Sequence, residues 1–130
     1  LNALMGKKLA IASPTAQTTR HRFRAIHTTD THQMIIVDTP GVHKPHDALG
    51  EELNTTAFKS LEGIDVIAFV LDASAPFGRG DEWVLSELSS IRIPKILVLT
   101  KIDLVSTEEL EAQRGAAIAA GTWDRVVELS

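Results

Sequence analysis

The chain has 130 residues, 44% of them hydrophobic, and carries a formal net charge of −4. That length suits one domain with a real core, and the acidic balance offers no global attraction to nucleic acid or anionic lipid. The absence of cysteine excludes a disulfide scaffold, a thiolate metal site and a thiol nucleophile. No apolar run approaches the roughly 20 residues of a membrane span, and no secretory signal opens the chain, so a cytoplasmic location is expected.

Leu1 to Gly6 reads as the tail of a helix closed by Gly6, with Lys7 and Lys8 at its negative end. Leu9 to Ala12 fits a short extended segment, and the polar stretch Ser13 to Thr19 an exposed loop. From Arg20 to Thr29 the residues alternate, with Arg22, Arg24 and Ile26 on one face and Phe23, Ala25 and His27 on the other. Such alternation predicts a half-solvated edge strand. A turn at Asp30 and Thr31 then leads into Met34-Ile35-Ile36-Val37-Asp38, which completes an antiparallel hairpin. This run is apolar without a break, as in a strand buried on both faces, and Thr39-Pro40-Gly41 stops it.

A polar loop follows from Val42 to Asp47. Leu49, Leu53, Ala57 and Leu61 recur at every fourth residue, one stripe of an amphipathic helix ended by Gly63. Ile64 to Leu71 is a second apolar run that ends in Asp72, where the neighbouring Ser74 leaves a capping role open. After a loop from Pro76 to Gly80, Asp81 is the expected N-cap of a helix with Val84, Leu85, Leu88 and Ile91 on its apolar face. Ile96-Leu97-Val98-Leu99 forms a third run and leads into Thr100-Lys101-Ile102-Asp103. Ser106 and Glu109 have capping-box spacing ahead of a helix rich in Glu and Ala, closed by Gly121, and Val126 to Leu129 is a last strand. Trp83 and Trp123 are expected to pack at helix faces.

Apolar strands alternating with amphipathic helices predict an α/β fold, with a mostly parallel sheet and helices on both faces. Parallel strands deliver their carboxyl ends to one edge, where open α/β sheets bind ligands. Two stretches stand at that edge. In Asp38-Thr39-Pro40-Gly41, Asp38 can face a metal and the Gly41 amide a phosphate, since Gly41 has no side chain to block approach and Pro40 fixes its own φ. An ordinary strand-to-loop turn accounts for the same residues equally well. In Thr100 to Asp103, Asp103 can accept two parallel hydrogen bonds from the imino and amino groups of guanine, a donor pair that adenine lacks. Lys101 can lay its stem along the base or reach the ribose. A charged helix cap is the plain alternative.

Together, Asp38-Thr39-Pro40-Gly41 and Thr100-Lys101-Ile102-Asp103, each after an apolar strand, resemble the motifs of a GTPase G domain of P-loop NTPase fold. Leu1-Asn2-Ala3-Leu4-Met5-Gly6, Gln17-Thr18-Thr19-Arg20-His21 and Gly41-Val42-His43-Lys44-Pro45 make the resemblance closer still, to the bacterial Era GTPase family. The resemblance spans essentially the whole chain. It implies GTP or GDP and Mg²⁺ as ligands, with Thr19 and Asp38 in the magnesium shell. Gln17, Thr18, Thr19, Arg20, His21 and Val42 would belong to switch segments. Asp38, Thr39, Pro40 and Gly41 would serve the phosphate end of the nucleotide, and Thr100, Lys101, Asp103 and Ser130 the guanine end. Val42 occupies the place where Ras-like proteins carry a water-orienting glutamine, so slow hydrolysis is expected.

The resemblance also implies a role in small-ribosomal-subunit assembly, through small-subunit ribosomal RNA bound by a KH domain not in this chain, and peripheral membrane association of the parent protein. Two departures are visible. Thr100 stands where the family more often has Asn, although its hydroxyl could still bridge to the phosphate loop. The first strand and the Gly-rich P-loop with its lysine are absent from these residues, so 1–130 is expected to be a partial G domain, weak or inactive alone. The lost strand would leave a gap edged by Ile35, Val37, Ile67 and Phe69. A non-catalytic, degenerate G-domain module that docks a partner is the alternative. His21, His27, His32, His43 and His46 offer no pair at helical ligand spacing, and Arg20, Arg22 and Arg24 fit a solvated edge, so neither group is read as a site.

Overall fold

The computed structural model describes residues 23–39, 42 and 48–130. The chain divides into two compact units, Leu1–Glu62 and Gly63–Ser130. The expected opening helix tail, the segment Leu9 to Ala12 and the loop after it lie outside the described residues.

In the first unit, β1 (Phe23–Thr28) and β2 (Gln33–Asp38) form an antiparallel pair in which Phe23 faces Asp38 and Thr28 faces Gln33. The reversal is closed locally: the Thr29 N–H donates to the His32 carbonyl at 2.9 Å, and the Thr29 hydroxyl oxygen accepts from the His32 N–H at 3.2 Å. Alternation holds in β1, where Ala25 is buried while Arg24 and Ile26 are exposed. It fails as a guide to β2. The uninterrupted apolar run predicts cover on both faces, yet Met34 and Ile35 are exposed and Ile36 and Val37 only half-buried. The physical reason is its place in a two-stranded ribbon, with β1 as its one paired neighbour among the described residues. Helix α1 (Ala48–Lys59) follows, with Ala57 buried as its apolar stripe requires. Buried Ser60, just past the helix, stays satisfied by donating its hydroxyl to the Thr56 carbonyl at 2.7 Å.

The second unit is a parallel sheet in the order β3–β4–β5, built from β3 (Ile67–Asp72), β4 (Lys95–Thr100) and β5 (Arg125–Glu128). Helix α2 (Arg79–Ser89) joins the first two strands and α3 (Thr107–Ala120) the last two. Gly63, before β3, takes a left-handed φ of 73°, a conformation free of steric cost only for glycine. Leu71, Leu97, Leu99 and Ala117 form the core, with Phe69, Leu110, Trp123 and Val126 packed around them. Leu97 and Leu99 are 0% exposed, and each such burial contributes about 1.5–3 kcal/mol. A cavity of about 210 Å³ lies between Leu85 and Leu88 of α2, Lys95 of β4 and the segment Ala119 to Trp123, so α2 shares the α3 side of this sheet. Side chains alternate across a strand, so Val70 belongs to the opposite face, and it is 63% exposed.

Local chemistry sets the helix ends. Asp81, expected at the N-cap of α2, lies instead at the third helical position, and Gly78 holds the cap. From there the Asp81 carboxylate reaches back to accept the Gly78 N–H at 2.9 Å, half of a capping box. The predicted box at Ser106 is complete: the Ser106 hydroxyl oxygen accepts the Glu109 N–H at 3.2 Å, and Glu109 accepts the Ser106 N–H at 2.8 Å. At the far end of α3, Gly121 is needed for close approach, since a Cβ there would sit 2.8 Å from Cζ2 of Trp123. The Trp123 indole packs on Phe69 with ring centroids 5.7 Å apart and donates its N–H to the Ala117 carbonyl at 2.9 Å.

Ser106→Ala should cost about 1 kcal/mol of unfolding free energy, measured by urea denaturation at neutral pH. The Ser106 N–H holds the Glu109 carboxyl below its usual range. Because a depressed carboxyl favours the folded state only when ionised, the Glu109 arm of the cap should act above the ordinary glutamate range. It should fade as pH falls through the lowered value. The stability difference between wild type and Glu109→Ala, followed from neutral to acid pH, checks this.

Candidate functional site

The carboxyl ends of β3, β4 and β5 emerge at one edge of the second sheet, tied together by the backbone. Asp72 and Thr100 are register partners. The Ala73 N–H donates to the Thr100 carbonyl at 2.9 Å, and the Thr100 hydroxyl donates to the Leu71 carbonyl at 3.2 Å. On the other side, the Leu129 N–H donates to the Leu99 carbonyl at 2.8 Å and the Ile102 N–H to the Leu129 carbonyl at 3.4 Å. Ser130 therefore follows directly on the residue bonded to the Lys101–Asp103 turn. Thr100, Lys101, Asp103 and Ser130 are thus gathered by one sheet edge. The Thr100 hydroxyl, expected to be available for a bridge to a phosphate loop, donates its proton to β3, so its oxygen could take part in such a bridge only as an acceptor.

Lys101 is the one non-glycine residue at positive φ among the described residues, at φ 57° and ψ 34°. This left-handed backbone costs an ordinary L-residue about 1–2 kcal/mol. It turns the chain sharply out of β4 into a single 3₁₀ turn (Ile102–Leu104), which the Leu104 N–H closes on the Lys101 carbonyl at 3.0 Å. Asp103 lies on that turn, exposed, and among the described residues its carboxylate accepts no hydrogen bond. An exposed carboxylate held on a short, closed turn suits a pair of parallel N–H donors.

From the sequence Asp72 is an ordinary strand end, with a cap role for Ser74 left open. In the structure it does more. Its Oδ1 accepts from the Ser74 N–H at 2.9 Å and the Ser74 hydroxyl at 2.6 Å, while Oδ2 takes the Lys101 ammonium at 2.5 Å. The Lys101 ammonium first, and the Ser74 hydroxyl next, hold the Asp72 carboxyl below the usual aspartate range. A signal was present in the sequence: two consecutive strands joined by a helix end in Asp72 and in Thr100-Lys101, and parallel pairing sets such ends side by side.

The residues expected at a phosphate end fall in the first unit. Asp38 is the last residue of β2, half-buried, and Thr39 and Val42 are also half-buried. Pro40, Gly41 and the expected switch residues Gln17, Thr18, Thr19, Arg20 and His21 lie outside the described residues. A half-buried carboxylate at a strand exit fits a hard cation such as Mg²⁺, which takes oxygen ligands. Among the described residues, no group of three or more histidine, aspartate or glutamate side chains is placed to hold a metal, and no helix is long and apolar enough to cross a membrane.

Residues 1–101 match the 50S ribosome-binding GTPase family. The chain belongs to this GTPase family. Within it, its type is that of Era: the curated GTPase Era of Leuconostoc citreum (strain KM20) is 44% identical over the whole chain. The chain spans 44% of that relative's length. A crystal structure of Era with MgGDPNP and nucleotides 1506–1542 of 16S ribosomal RNA superposes with a TM-score of 0.86 at 31% identity, covering 98% of this chain and 44% of that one. A point variant of Aquifex aeolicus Era bound to GDP·AlF4⁻ gives a TM-score of 0.84 at the same identity and coverage. These matches establish the P-loop NTPase fold, in its G-domain form, for this member of the GTPase family.

The Lys101 backbone yields a measurable contrast. Lys101→Gly should leave unfolding free energy unchanged or raised by up to about 1 kcal/mol, because glycine adopts the left-handed turn without steric cost. Lys101→Val should lower it by about 1–2 kcal/mol, since a β-branched side chain tolerates that turn least. Thermal unfolding of the two variants distinguishes strain at this position from an ordinary surface lysine.

Proposed function

We propose that residues 1–130 are the partial G domain of an Era-type GTPase, a magnesium-dependent switch that binds and hydrolyses GTP. The observation that carries this reading is the Lys101–Asp103 turn: a strained lysine and an open carboxylate on one tightly closed loop at the exit of a buried parallel strand. In this reading Asp103 accepts the N1 imino and N2 amino protons of guanine. Adenine would leave that carboxylate unpaired, which costs kcal/mol where water is displaced. The Lys101 stem covers the base while its ammonium remains hydrated or paired. Thr100 fixes the start of the turn through its bond to β3, and Ser130 supports the base from the next strand.

By the same resemblance, Asp38 and Thr19 would hold Mg²⁺, and the Gly41 amide would donate to the γ-phosphate, with Thr39 and Pro40 shaping that turn. The ion supplies charge neutralisation for the phosphates when bound. Gln17, Thr18, Arg20, His21 and Val42 belong to the segments that would respond to the γ-phosphate. Val42 cannot polarise a water, so turnover should be slow. Residues 1–130 contain no Gly-x-x-x-x-Gly-Lys-Ser/Thr motif, and without those backbone amides and that lysine the chain alone should bind GTP weakly and turn it over hardly at all.

The Era structure with a 16S ribosomal RNA fragment supports a role for the parent protein in small-subunit assembly. A KH domain would make the ribosomal RNA contact, and a cytoplasmic protein with peripheral membrane association is the matching cellular setting. These belong to the parent protein.

Asp103→Asn in the intact GTPase tests the guanine assignment. An amide offers one donor and one acceptor, so it mismatches guanine and matches the 2-oxo group of xanthine. Calorimetric titration should show GDP binding weakened about 30- to 150-fold, the equivalent of about 2–3 kcal/mol for a lost charged hydrogen-bond pair, with xanthosine diphosphate gaining. Unaltered GDP affinity would take Asp103 out of its role.

A further inference from the structure

We propose that Asp72 is a positioning residue for nucleotide binding, which holds the Lys101 ammonium so that the lysine stem is in place beside Asp103 before the base arrives. The inference rests on the guanine reading of Lys101 and Asp103, and it adds a residue that no motif of that reading includes.

A lysine stem has four rotatable methylenes, and a base-covering role requires that it lie in one direction. Here both of its ends are fixed. The near end is set by the left-handed backbone of Lys101, which the Leu104 N–H locks through the Lys101 carbonyl. The far end is set by Asp72 Oδ2 at 2.5 Å. Asp72 is not itself free to swing, because its Oδ1 is gripped twice by Ser74 and its strand is clipped to β4 by the Ala73–Thr100 and Thr100–Leu71 bonds. The two carboxylate oxygens thus divide their work, one anchoring Asp72 and one orienting Lys101. The stem then runs from the β4 exit to the β3 exit along the sheet edge from which the Asp103 turn projects.

Stability alone is a poor account of this pair. Its side chains are 55% and 35% exposed, and ion pairs in that setting add little to folding free energy. Ordering a long side chain before a ligand arrives lowers the entropy lost on binding, so an exposed pair beside a binding turn can act on affinity where it hardly acts on the fold.

The test is a double-mutant cycle in the intact GTPase, read by calorimetric titration with GDP and with GMP, using Asp72→Asn, Lys101→Met and the two together. Asp72→Asn should weaken GDP and GMP binding equally, by about fivefold, because it acts at the base and not at the phosphates. In the Lys101→Met background the same change should have no further effect. Brief labelling with acetic anhydride, followed by mass spectrometry of the nucleotide-free protein, should show Lys101 acetylated faster in Asp72→Asn than in wild type. Additive losses in the cycle would overturn the proposal, as would tighter GDP binding by Asp72→Asn or Lys101 labelling that does not change. Thermal unfolding of each variant separates a folding defect from a binding one. Asp103→Asn, run alongside, judges the guanine reading independently: if it leaves guanine preference intact, that reading fails, while the cycle and the labelling still decide whether Asp72 acts through Lys101.

Discussion

The burial of β4 governs the second half of this molecule. Leu97 and Leu99 are withdrawn completely from water, because β4 is hydrogen-bonded along both edges and covered on their face by α3. A strand held in this way ends at a fixed point, and that point is Thr100. The unusual backbone of Lys101 is tolerable for the same reason. The ladder before it and the 3₁₀ turn after it leave the chain no relaxed route, so the surrounding structure carries a local cost of about 1–2 kcal/mol. The openness of Asp103 follows in turn, since it rides on a turn whose backbone is already satisfied.

Much of this was legible in the sequence because the determinants are local. The capping box at Ser106 and Glu109 is written in two residues and a spacing, and it forms as written. The hairpin, the parallel strands and the apolar stripe of α2 follow from side-chain periodicity, which needs no knowledge of tertiary contacts. The Thr100–Asp103 turn was legible for a similar reason, being four consecutive residues at the exit of an unmistakable strand.

What the sequence conceals is non-local. The apolar run of β2 signals capacity for burial, but burial needs neighbours, and among the described residues a two-stranded ribbon leaves Met34 and Ile35 exposed. Asp81 has the chemistry of an N-cap, yet at the third helical position its carboxylate reaches back to the Gly78 N–H, and the choice depends on where the preceding loop begins to turn. The pairing of Asp72 is easily passed over in a sequence because its partner lies 29 residues away, and the ends of the two strands must be set in register before the two become adjacent. Gly121 suggests the usual backbone freedom of glycine at the close of α3. Its φ of −140° is open to any residue, and the requirement comes instead from the indole pressed against it.

That indole has a practical corollary. The chain has two tryptophans and no tyrosine, and both tryptophans belong to the second unit, one on α2 and one at the entrance to β5. Intrinsic emission excited near the red edge of the ultraviolet band therefore comes from that unit alone, and the first unit is optically dark. Trp123, stacked on Phe69 and bonded to the Ala117 carbonyl, is a built-in lamp for β5, the strand that leads to Ser130. Folding of the half that carries the Lys101–Asp103 turn can be followed by its light without attaching a dye.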